Sequence, residues 1–308
     1  MKIRTGIDLG GTKIEVMSLG PNDEILFQQR TTTPKGEYQQ TLHKIRDLVN
    51  SADKHLGTKT SIGIGTPGAI SKSKQTIKNA NSTCLNGQPL HSDLNQLLGR
   101  EIRISNDANC FVLSEALDGA AKTYDNVFGV IIGTGTGGGL VFNKQIVNGC
   151  NSIGGEWGHN PLPWPDPSEL PGPACYCGKF GCIETFISGP GMETDYQNHN
   201  QSQTIRCEKI IELVQQKHNA AEQCLLRYER RLAKSLAHVI NIVDPDIVVL
   251  GGGLSNIKRL YENIPKIWHE YIFSDEIATK LVPAKYGDAS GVRGAAKLWK
   301  LEELSESQ

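Results

Sequence analysis

One histidine and three cysteines set the first constraint on this chain. Residues 155–184 read Gly-Glu156-Trp-Gly-His159, then a proline-rich stretch, then Cys175-Tyr-Cys177-Gly-Lys-Phe-Gly-Cys182-Ile-Glu184. Cysteines spaced C-x-C-x4-C, with His159 as a fourth donor, make a nitrogen–sulfur set suited to tetrahedral Zn2+. Glu156 and Glu184 stand at the two ends of the segment, carboxylates that zinc does not need. A metal knot closed here would hold both against whatever lies between them, as the polar wall of a binding site. The other cysteines, Cys84, Cys110, Cys150, Cys207 and Cys224, are scattered singly and read as small buried apolar residues. Six of the chain's 14 prolines fall between His159 and Cys175, so a stiff loop is expected there.

Glycine turns after strand-like runs are the second feature. Residues 3–9 are apolar and β-rich and end in Asp8-Leu-Gly10-Gly11-Thr12-Lys13, with further strands expected at 14–19 and 24–31. Gly-Gly at a strand–turn–strand tip lets backbone N–H groups approach a phosphate, and a nearby acid can address its Mg2+. An ordinary glycine hairpin is the alternative. A second strand, 127–132, runs into Gly133-Thr134-Gly135-Thr136-Gly137-Gly138-Gly139. The G-x-G-x-x-G match at Gly133, Gly135 and Gly138 fails as a dinucleotide motif, because strands at 140–142 and 145–147 follow where a helix is needed. This layout repeats the one around Gly10-Gly11, so two halves built on one nucleotide-cradling plan are expected. Gly251-Gly252-Gly253, after a strand at 247–250, suits a ribose or adenine pressed against backbone.

Asp107 lies in Asn106-Asp107-Ala108-Asn109, between a strand at 102–104 and a helix at 108–121. It reads either as a helix N-cap or as a catalytic carboxylate at the strand end where open α/β sheets bind ligands. Residues 79–83, Asn-Ala-Asn81-Ser-Thr, form a polar loop whose amides suit hydroxyl recognition. The elements that must position these groups include a helix over Tyr38–Leu56 with Leu42, Ile45, Val49 and Leu56 on one face. Helices at 208–214 and 225–243 follow, the second stopped by Asp244-Pro245; a small-residue helix starts at Gly291 and 302–308 reads as a solvated tail.

At 308 residues two domains are the prior, and 38% hydrophobic with 21% charged residues is an ordinary globular balance. Net charge is -1 with no long basic run, which argues against a nucleic-acid partner. No apolar run approaches the ~18 residues of a membrane span. Strand pattern from the first residues leaves no room for a signal peptide, so a cytoplasmic protein with reduced thiols is expected.

Taken together, these motifs resemble the ROK family (repressors, open reading frames, sugar kinases) over essentially the whole chain, and within it the bacterial fructokinases of the mannofructokinase kind. The resemblance rests on Asp8-Leu-Gly-Gly-Thr-Lys13, Lys78-Asn-Ala-Asn-Ser-Thr83, Asn106-Asp-Ala-Asn109, Gly133-Thr-Gly135, Glu156-Trp-Gly-His159, the cysteine motif through Glu184, and Gly251-Gly-Gly253. It implies an α/β, actin/hexokinase-like architecture of two ribonuclease-H-like domains with a cleft between them. The first domain would take 1–118 plus 289–308 and the second 119–288. ATP with Mg2+ would be the phosphoryl donor and structural Zn2+ would sit on His159, Cys175, Cys177 and Cys182. Asp107 would be the general base. Asn81, Asn106, Glu156, His159 and Glu184 would bind sugar hydroxyls, His159 using one ring nitrogen for zinc and the other for the sugar. Asp8, Gly10, Gly11, Thr12, Lys13, Gly133, Thr134, Gly135, Gly251, Gly252 and Gly253 would bind ATP. Fructose is the expected hexose, with N-acetylglucosamine or glucose as the alternative, and a homodimer is the expected assembly. Cys84 departs from the aromatic often found there in these fructokinases, which bears on the sugar-side wall near Asn81. A sugar-sensing regulator is the non-enzyme alternative; family repressors carry a helix-turn-helix ahead of the first glycine motif, and Asp8 at the start of the chain favours the kinase.

Overall fold

The computed structural model describes residues 2–200 and 203–304, so most of the expected tail at 302–308 falls outside the described residues. Two compact units emerge. The first holds the chain up to Asp125, residues 139–155 and the chain from Lys285; the second holds Asn126–Gly138 and Glu156–Ala284.

In the first unit, β1 (Arg4–Leu9), β2 (Lys13–Leu19) and β3 (Ile25–Thr32) form an antiparallel meander. Helix α1 (Tyr38–Leu56) buries Leu42, Ile45, Leu48, Val49 and Ala52 on one face and ends at Gly57, whose φ of 67° closes the helix as only glycine does readily. Then come β4 (Ser61–Thr66), the short pair β5 (Ala69–Ile70) and β6 (Ile77–Lys78), α2 (Leu90–Leu98), β7 (Ile102–Asn106) and α3 (Asp107–Leu117). The sheet runs β3-β2-β1-β4-β7, with β1, β4 and β7 parallel, so Asp8, Gly65 and Asn106 all lie at carboxyl ends of parallel strands. Edge strand β3 is mostly exposed and carries Gln28, Gln29 and Arg30, which blunt it against pairing with another chain.

The second unit starts with β8 (Asn126–Ile132). Strand β9 (Thr136–Phe142) begins in this unit and ends in the first, where Val141 and Phe142 pair with β10 (Gln145–Ile146). After the proline-rich loop come α4 (Glu184–Ile187), α5 (Gly189–Asn200), α6 (Cys207–Gln215) and α7 (Asn219–Val243). Helix α7 buries Leu225, Leu232, Leu236, Val239 and Ile240, the expected stripe, and starts six residues earlier than expected. Strand β11 (Ile247–Gly251), α8 (Leu260–Ile267) and β12 (Lys280–Pro283) complete the unit, and β8, β11 and β12 are parallel. The strand order β10-β9-β8-β11-β12 repeats β3-β2-β1-β4-β7, the duplication expected from the glycine turns.

Helix α9 (Ser290–Ala296) closes the first unit as the small-residue helix anticipated. Residues 139–155, expected with the second domain, pack instead with the first unit. Two local contacts explain this. A Cβ on Gly139 would lie 2.8 Å from Val112 Cγ1 and 2.9 Å from the Ala108 carbonyl, so β9 runs tight against α3. Lys144 Nζ donates to the carbonyls of Ala116, Lys122 and Tyr124, closing the carboxyl end of α3. Helix α3 itself stops at Leu117, short of the expected 121. Among the described residues, no helix is long and apolar enough to cross a membrane.

A Cβ on Gly294 would overlap the Cys110 carbonyl of α3. Gly294→Ala should therefore destabilise the chain by about 1–3 kcal/mol or more, the usual range for overpacking against backbone that cannot relax. Chemical denaturation reads this; a midpoint equal to wild type would mean that α9 can shift freely.

Candidate active site

The first unit gathers one set of the predicted residues. Asp8 ends β1, paired across the sheet with Glu15 on one side and Gly65 on the other. The turn after it is held by Gly10 N–H donating to the Lys13 carbonyl at 3.0 Å and by Thr33 Oγ1 donating to the Gly10 carbonyl at 2.7 Å. Lys13 reaches Asp288 at 3.4 Å, an exposed pair of little energetic weight. A Cβ on Gly11 would lie 3.2 Å from Ser82 Oγ, so the loop containing Asn81 lies against the glycine turn. That loop is pinned at its base by Asn86, whose side chain both accepts from the Ala80 N–H and donates to the Ala80 carbonyl. Asn81 itself is exposed. Cys84, three residues on, is partly buried and packs against the hydrophobic core of the unit.

Asp107 is the first residue of α3, and the cap is Asn106. Asn106 Oδ1 accepts from the Ala108 and Asn109 N–H groups at 2.9 and 3.4 Å, while its Nδ2 donates to the Gly68 carbonyl at 3.0 Å. The N-cap reading therefore belongs to the neighbour, and the Asp107 carboxylate is not required for it. Gly68 in turn packs against the backbone of Ala80, which ties the Asn106 side chain to the Asn81 loop.

Asp8 and Asp107 face each other. Burial pushes the Asp8 carboxyl up to about 7, helped by repulsion from Asp107 and Glu15 and opposed by Lys13 and Arg30. The same two aspartates, after burial, push the Cys110 thiol well above its usual range, so that cysteine is structural. Carboxylate oxygens of this kind are the hard donors that Mg2+ prefers, and a bound cation would relieve the repulsion between the two, so the residues fit that ion.

The second unit gathers the other set. Trp157–His159 is a single 3-10 turn. Trp157 is buried, donates from Nε1 to the Gly137 carbonyl at 3.1 Å and meets Phe128 edge-on. Gly158 has no room for a Cβ against the Thr136 carbonyl, so Trp157 and Gly158 seat the turn and leave Glu156 and His159 partly exposed. Backbone pairing of Pro161 with Cys182 and of Ala174 with Phe180 folds the cysteine segment back onto it.

The ligand atoms of His159, Cys175, Cys177 and Cys182 lie within 4.8 Å of one another. Cys177 Sγ and Cys182 Sγ are 3.6 Å apart, as are Cys175 Sγ and His159 Nδ1. Edges of roughly 3.5–3.8 Å are what a tetrahedral zinc site with bonds of ~2.0–2.3 Å requires, so the four residues fit Zn2+. Nδ1 is the nitrogen on the metal side. The other ring nitrogen, Nε2, lies 2.9 Å from the Tyr176 hydroxyl, a partner that the sequence reading did not include. Desolvation pushes that Tyr176 hydroxyl up to about 12, with Glu184 and Glu156 adding to it.

The loop carrying these groups is held from behind by ion pairs. Glu169 lies in it and is bonded to Arg231 at 2.7 Å and Lys234 at 3.0 Å, while Lys234 also donates to the Trp164 carbonyl. Arg231 also bonds Asp195 of α5 at 2.7 Å. Burial pushes Glu169 upward, but Arg231, the Asp166 N–H and Lys234 outweigh it and hold the carboxyl below its usual range.

A cavity of about 620 Å³ opens beside the second glycine turn, lined by Gly133, Thr134, Gly253 and the facing residues of α5 and α6, among them Arg206, Ile211 and Gln215. That volume is in the range of small-ligand and cofactor sites. The predicted Gly253 faces it, whereas Gly251 ends the buried strand β11. Gly252, at φ 82°, lies against the Ile132 backbone with no room for a side chain. A 3-10 turn, Gly253–Asn256, follows directly. Helix α6 was legible as amphipathic, but nothing in its sequence pointed to a pocket; Glu193, accepting from the Cys207 N–H at 3.1 Å, brings it there.

Comparison with known proteins follows the same lines. A model of the ROK family matches residues 4–302. The chain is 41% identical over 297 residues to an N-acetyl-D-glucosamine kinase of Yersinia enterocolitica, covering 95% of this chain and 98% of that one. It is similar to a ROK hexokinase from Thermus thermophilus, with TM-score 0.86 and 30% identity over 98% of this chain and 99% of that one. A ROK family glucokinase from Streptomyces griseus in complex with glucose and AMPPNP gives TM-score 0.78 and 25% identity, covering 96% and 98%. The α/β, actin/hexokinase-like architecture is that of this chain.

Two outcomes follow from this geometry. Cys182→Ser should lose bound zinc and lower the melting temperature without unfolding the whole chain, because each unit has its own core. Metal analysis of matched preparations reads it, and one zinc per chain retained in the mutant would refute the ligand set. Asp8 holds its proton up to about pH 7 when folded and releases it near ~4 when unfolded. Between those values the folded state binds more protons, so stability falls as pH rises and the loss is complete above 7. In metal-free buffer, Asp8→Asn should thus melt higher than wild type at pH 8, by about a few degrees, and the difference should close toward pH 4. Parallel melting curves across that range would contradict the burial argument.

Proposed function

The chain belongs to the ROK family, and from that premise we propose that it is an ATP-dependent sugar kinase whose acceptor is N-acetylglucosamine. The observation that carries the acceptor is the 41% identity, along 95% of the chain, to an N-acetyl-D-glucosamine kinase. It favours the alternative acceptor over fructose, the first expectation from sequence. The neighbour solved with glucose and AMPPNP supports a sugar acceptor with an ATP-type donor.

In this proposal Asp107 removes the proton of the acceptor hydroxyl as that oxygen bonds the γ-phosphorus. The bond from the γ-phosphorus to the β–γ bridging oxygen breaks, releasing ADP and the sugar phosphate. Asn106 fixes the start of α3 and therefore the direction of Asp107, with one amide N–H left for a hydroxyl. Glu156 and Glu184 take sugar hydroxyls, with Asn81 as a further amide, and His159 joins them by exchanging the Tyr176 hydroxyl on Nε2 for one of the sugar. Gly11, Thr12 and Lys13, with Thr134 and Gly135, take phosphates on backbone N–H groups, while Gly10 and Gly133 close the two turns by donating to the Lys13 and Gly135 carbonyls, and the cavity beside Gly253 takes the nucleoside. Asp8 would hold Mg2+, which would supply charge neutralisation for the phosphates, and this leaves Asp107 free to act as the base. Zinc holds the segment with Glu156 and Glu184 in shape and takes no part in the bond changes.

A coupled ADP-release assay on one purified sample, run with N-acetylglucosamine, fructose, glucose and mannose, tests the acceptor. N-acetylglucosamine should exceed the others in kcat/KM by about tenfold or more; fructose in first place would restore the original expectation. Absence of ATP turnover with every sugar would favour the regulator. In the same assay Asp107→Asn should lower kcat by ~10²–10⁴ with sugar affinity retained, the usual range for a lost general base. Near-normal kcat in that variant would remove Asp107 from the chemistry.

A further inference from the structure

Glu184 makes a contact that sugar binding does not require. Its Oε2 accepts the backbone N–H of Thr136 at 2.9 Å. A Cβ placed on Gly135 would lie 2.8 Å from the same oxygen, so the carboxylate rests directly on the 133–136 loop. Five residues on, the Gly189 N–H donates to the Gly133 carbonyl at 2.7 Å. Residues 184–189 and the 133–136 loop are thus joined at both ends, by the carboxylate at one and by backbone at the other. Gly133, Thr134, Gly189 and Pro190, from both segments, line the cavity of about 620 Å³. Zinc ligand Cys182 is only two residues before Glu184 and fixes where this strap begins.

We propose that Glu184 is a positioning residue for the nucleotide loop as well as a sugar contact, so that one carboxylate couples acceptor and donor binding. The inference rests on the kinase reading above. One oxygen, Oε2, anchors the loop, which leaves Oε1 for an acceptor hydroxyl. A sugar hydroxyl on Oε1 fixes the carboxylate in the orientation that holds Thr136, which orders the loop for the nucleotide. Linkage requires the reverse effect to be equal. The arrangement also changes the expectation for Gly135. A side chain there meets the sugar carboxylate first, so substitution at this nucleotide-loop glycine should reach the sugar side.

Calorimetric titration of AMPPNP, with and without saturating N-acetylglucosamine, tests this on the full zinc-loaded chain. In wild type the sugar should tighten AMPPNP about fivefold or more, the lower end of ordinary coupling. Glu184→Ala should weaken AMPPNP in the absence of any sugar by a similar factor and abolish the sugar effect. Glu184→Gln keeps an acceptor for the Thr136 N–H, so it should restore AMPPNP affinity while the sugar KM stays raised. Gly135→Ala should raise the sugar KM severalfold, and zinc content with melting curves certifies that each variant is folded. Should Glu184→Ala misfold, the Gln and Gly135 variants still carry the test. Wild-type AMPPNP affinity in sugar-free Glu184→Ala, or an unchanged sugar KM in Gly135→Ala, would overturn the coupling and leave the kinase reading intact. Wild type that binds neither AMPPNP nor sugar would overturn the kinase reading and this inference with it.

Discussion

In the first unit four segments of backbone meet where there is no space for a side chain. Gly6 on β1 and Gly63 on β4 are pressed by the carbonyls of Val292 and Ala295 on α9, and Gly294 on α9 is pressed by the carbonyl of Cys110 on α3. Every other feature of that unit follows from this close approach. It brings the start of α3 down over Gly65, so that Asp107 stands beside the end of β1 and faces Asp8. Desolvation at this crowded strand end, with repulsion from Asp107 and Glu15, is why the Asp8 carboxyl is pushed up to about 7. Glu115 fixes the arrangement from the side, accepting from Ser290 Oγ at 2.6 Å and from the Lys285 N–H at 3.0 Å. A site that holds two like charges together is unfavourable in the empty protein, and the tight small-residue packing is what allows the fold to keep them there.

The second unit meets a different requirement, a loop rich in proline that must stay in place without a sheet of its own. A cysteine–histidine cluster that fits a metal on one side and ion pairs on the other do this. His159 and the three cysteines draw the two ends of the segment together. Behind them Arg231, Lys234, Glu169 and Asp195 form a buried network in which each charge has an opposite partner. Removing one member of such a network leaves an uncompensated charge, usually worth about 3–5 kcal/mol. The long helix α7 is therefore more than core. Its apolar stripe faces the unit while Arg227, Arg231 and Lys234 reach to α5 and the loop.

What the sequence made legible was what local patterns carry. The hairpins at Gly10-Gly11 and Gly133–Gly139, the helix over Tyr38–Leu56, the cysteine spacing and the strand end at Asn106 all have signatures within a few residues. Helix α2 was not among the expected elements, although Leu90, Leu94, Leu97 and Leu98 share a helical face. Helices α4 and α5 left little to read, since α5 has no apolar stripe and buries Glu193 and Asp195 through partners on α6 and α7. Long-range contacts decided the rest. No local rule would give Tyr176 to His159 Nε2, pack Cys84 against the core, or place 139–155 with the first unit. Asp107 shows the limit most clearly. Its neighbourhood announced a capped helix start, but only the geometry assigned the cap to Asn106.

The repeated strand order sharpens the contrast between the two glycine turns. At the first, the acid belongs to the strand: Asp8 is set by the pleat of β1 and by its pairing with β2 and β4. At the second, β8 ends in Ile131-Ile132-Gly133 and brings no acid of its own. The carboxylate that meets this turn is Glu184, delivered by a helix of four residues that follows the cysteine knot. A carboxylate built into the middle of a sheet cannot move without the strands on both sides of it. One carried by a short helix and held by a single N–H can reorient when its other oxygen is engaged. Duplication of one hairpin plan has therefore left a rigid acid in one half and an adjustable one in the other. The cysteine–histidine cluster, the bridge of Cys182 to Pro161 and the buried side chain of Ile183 together return Glu184 to the same place.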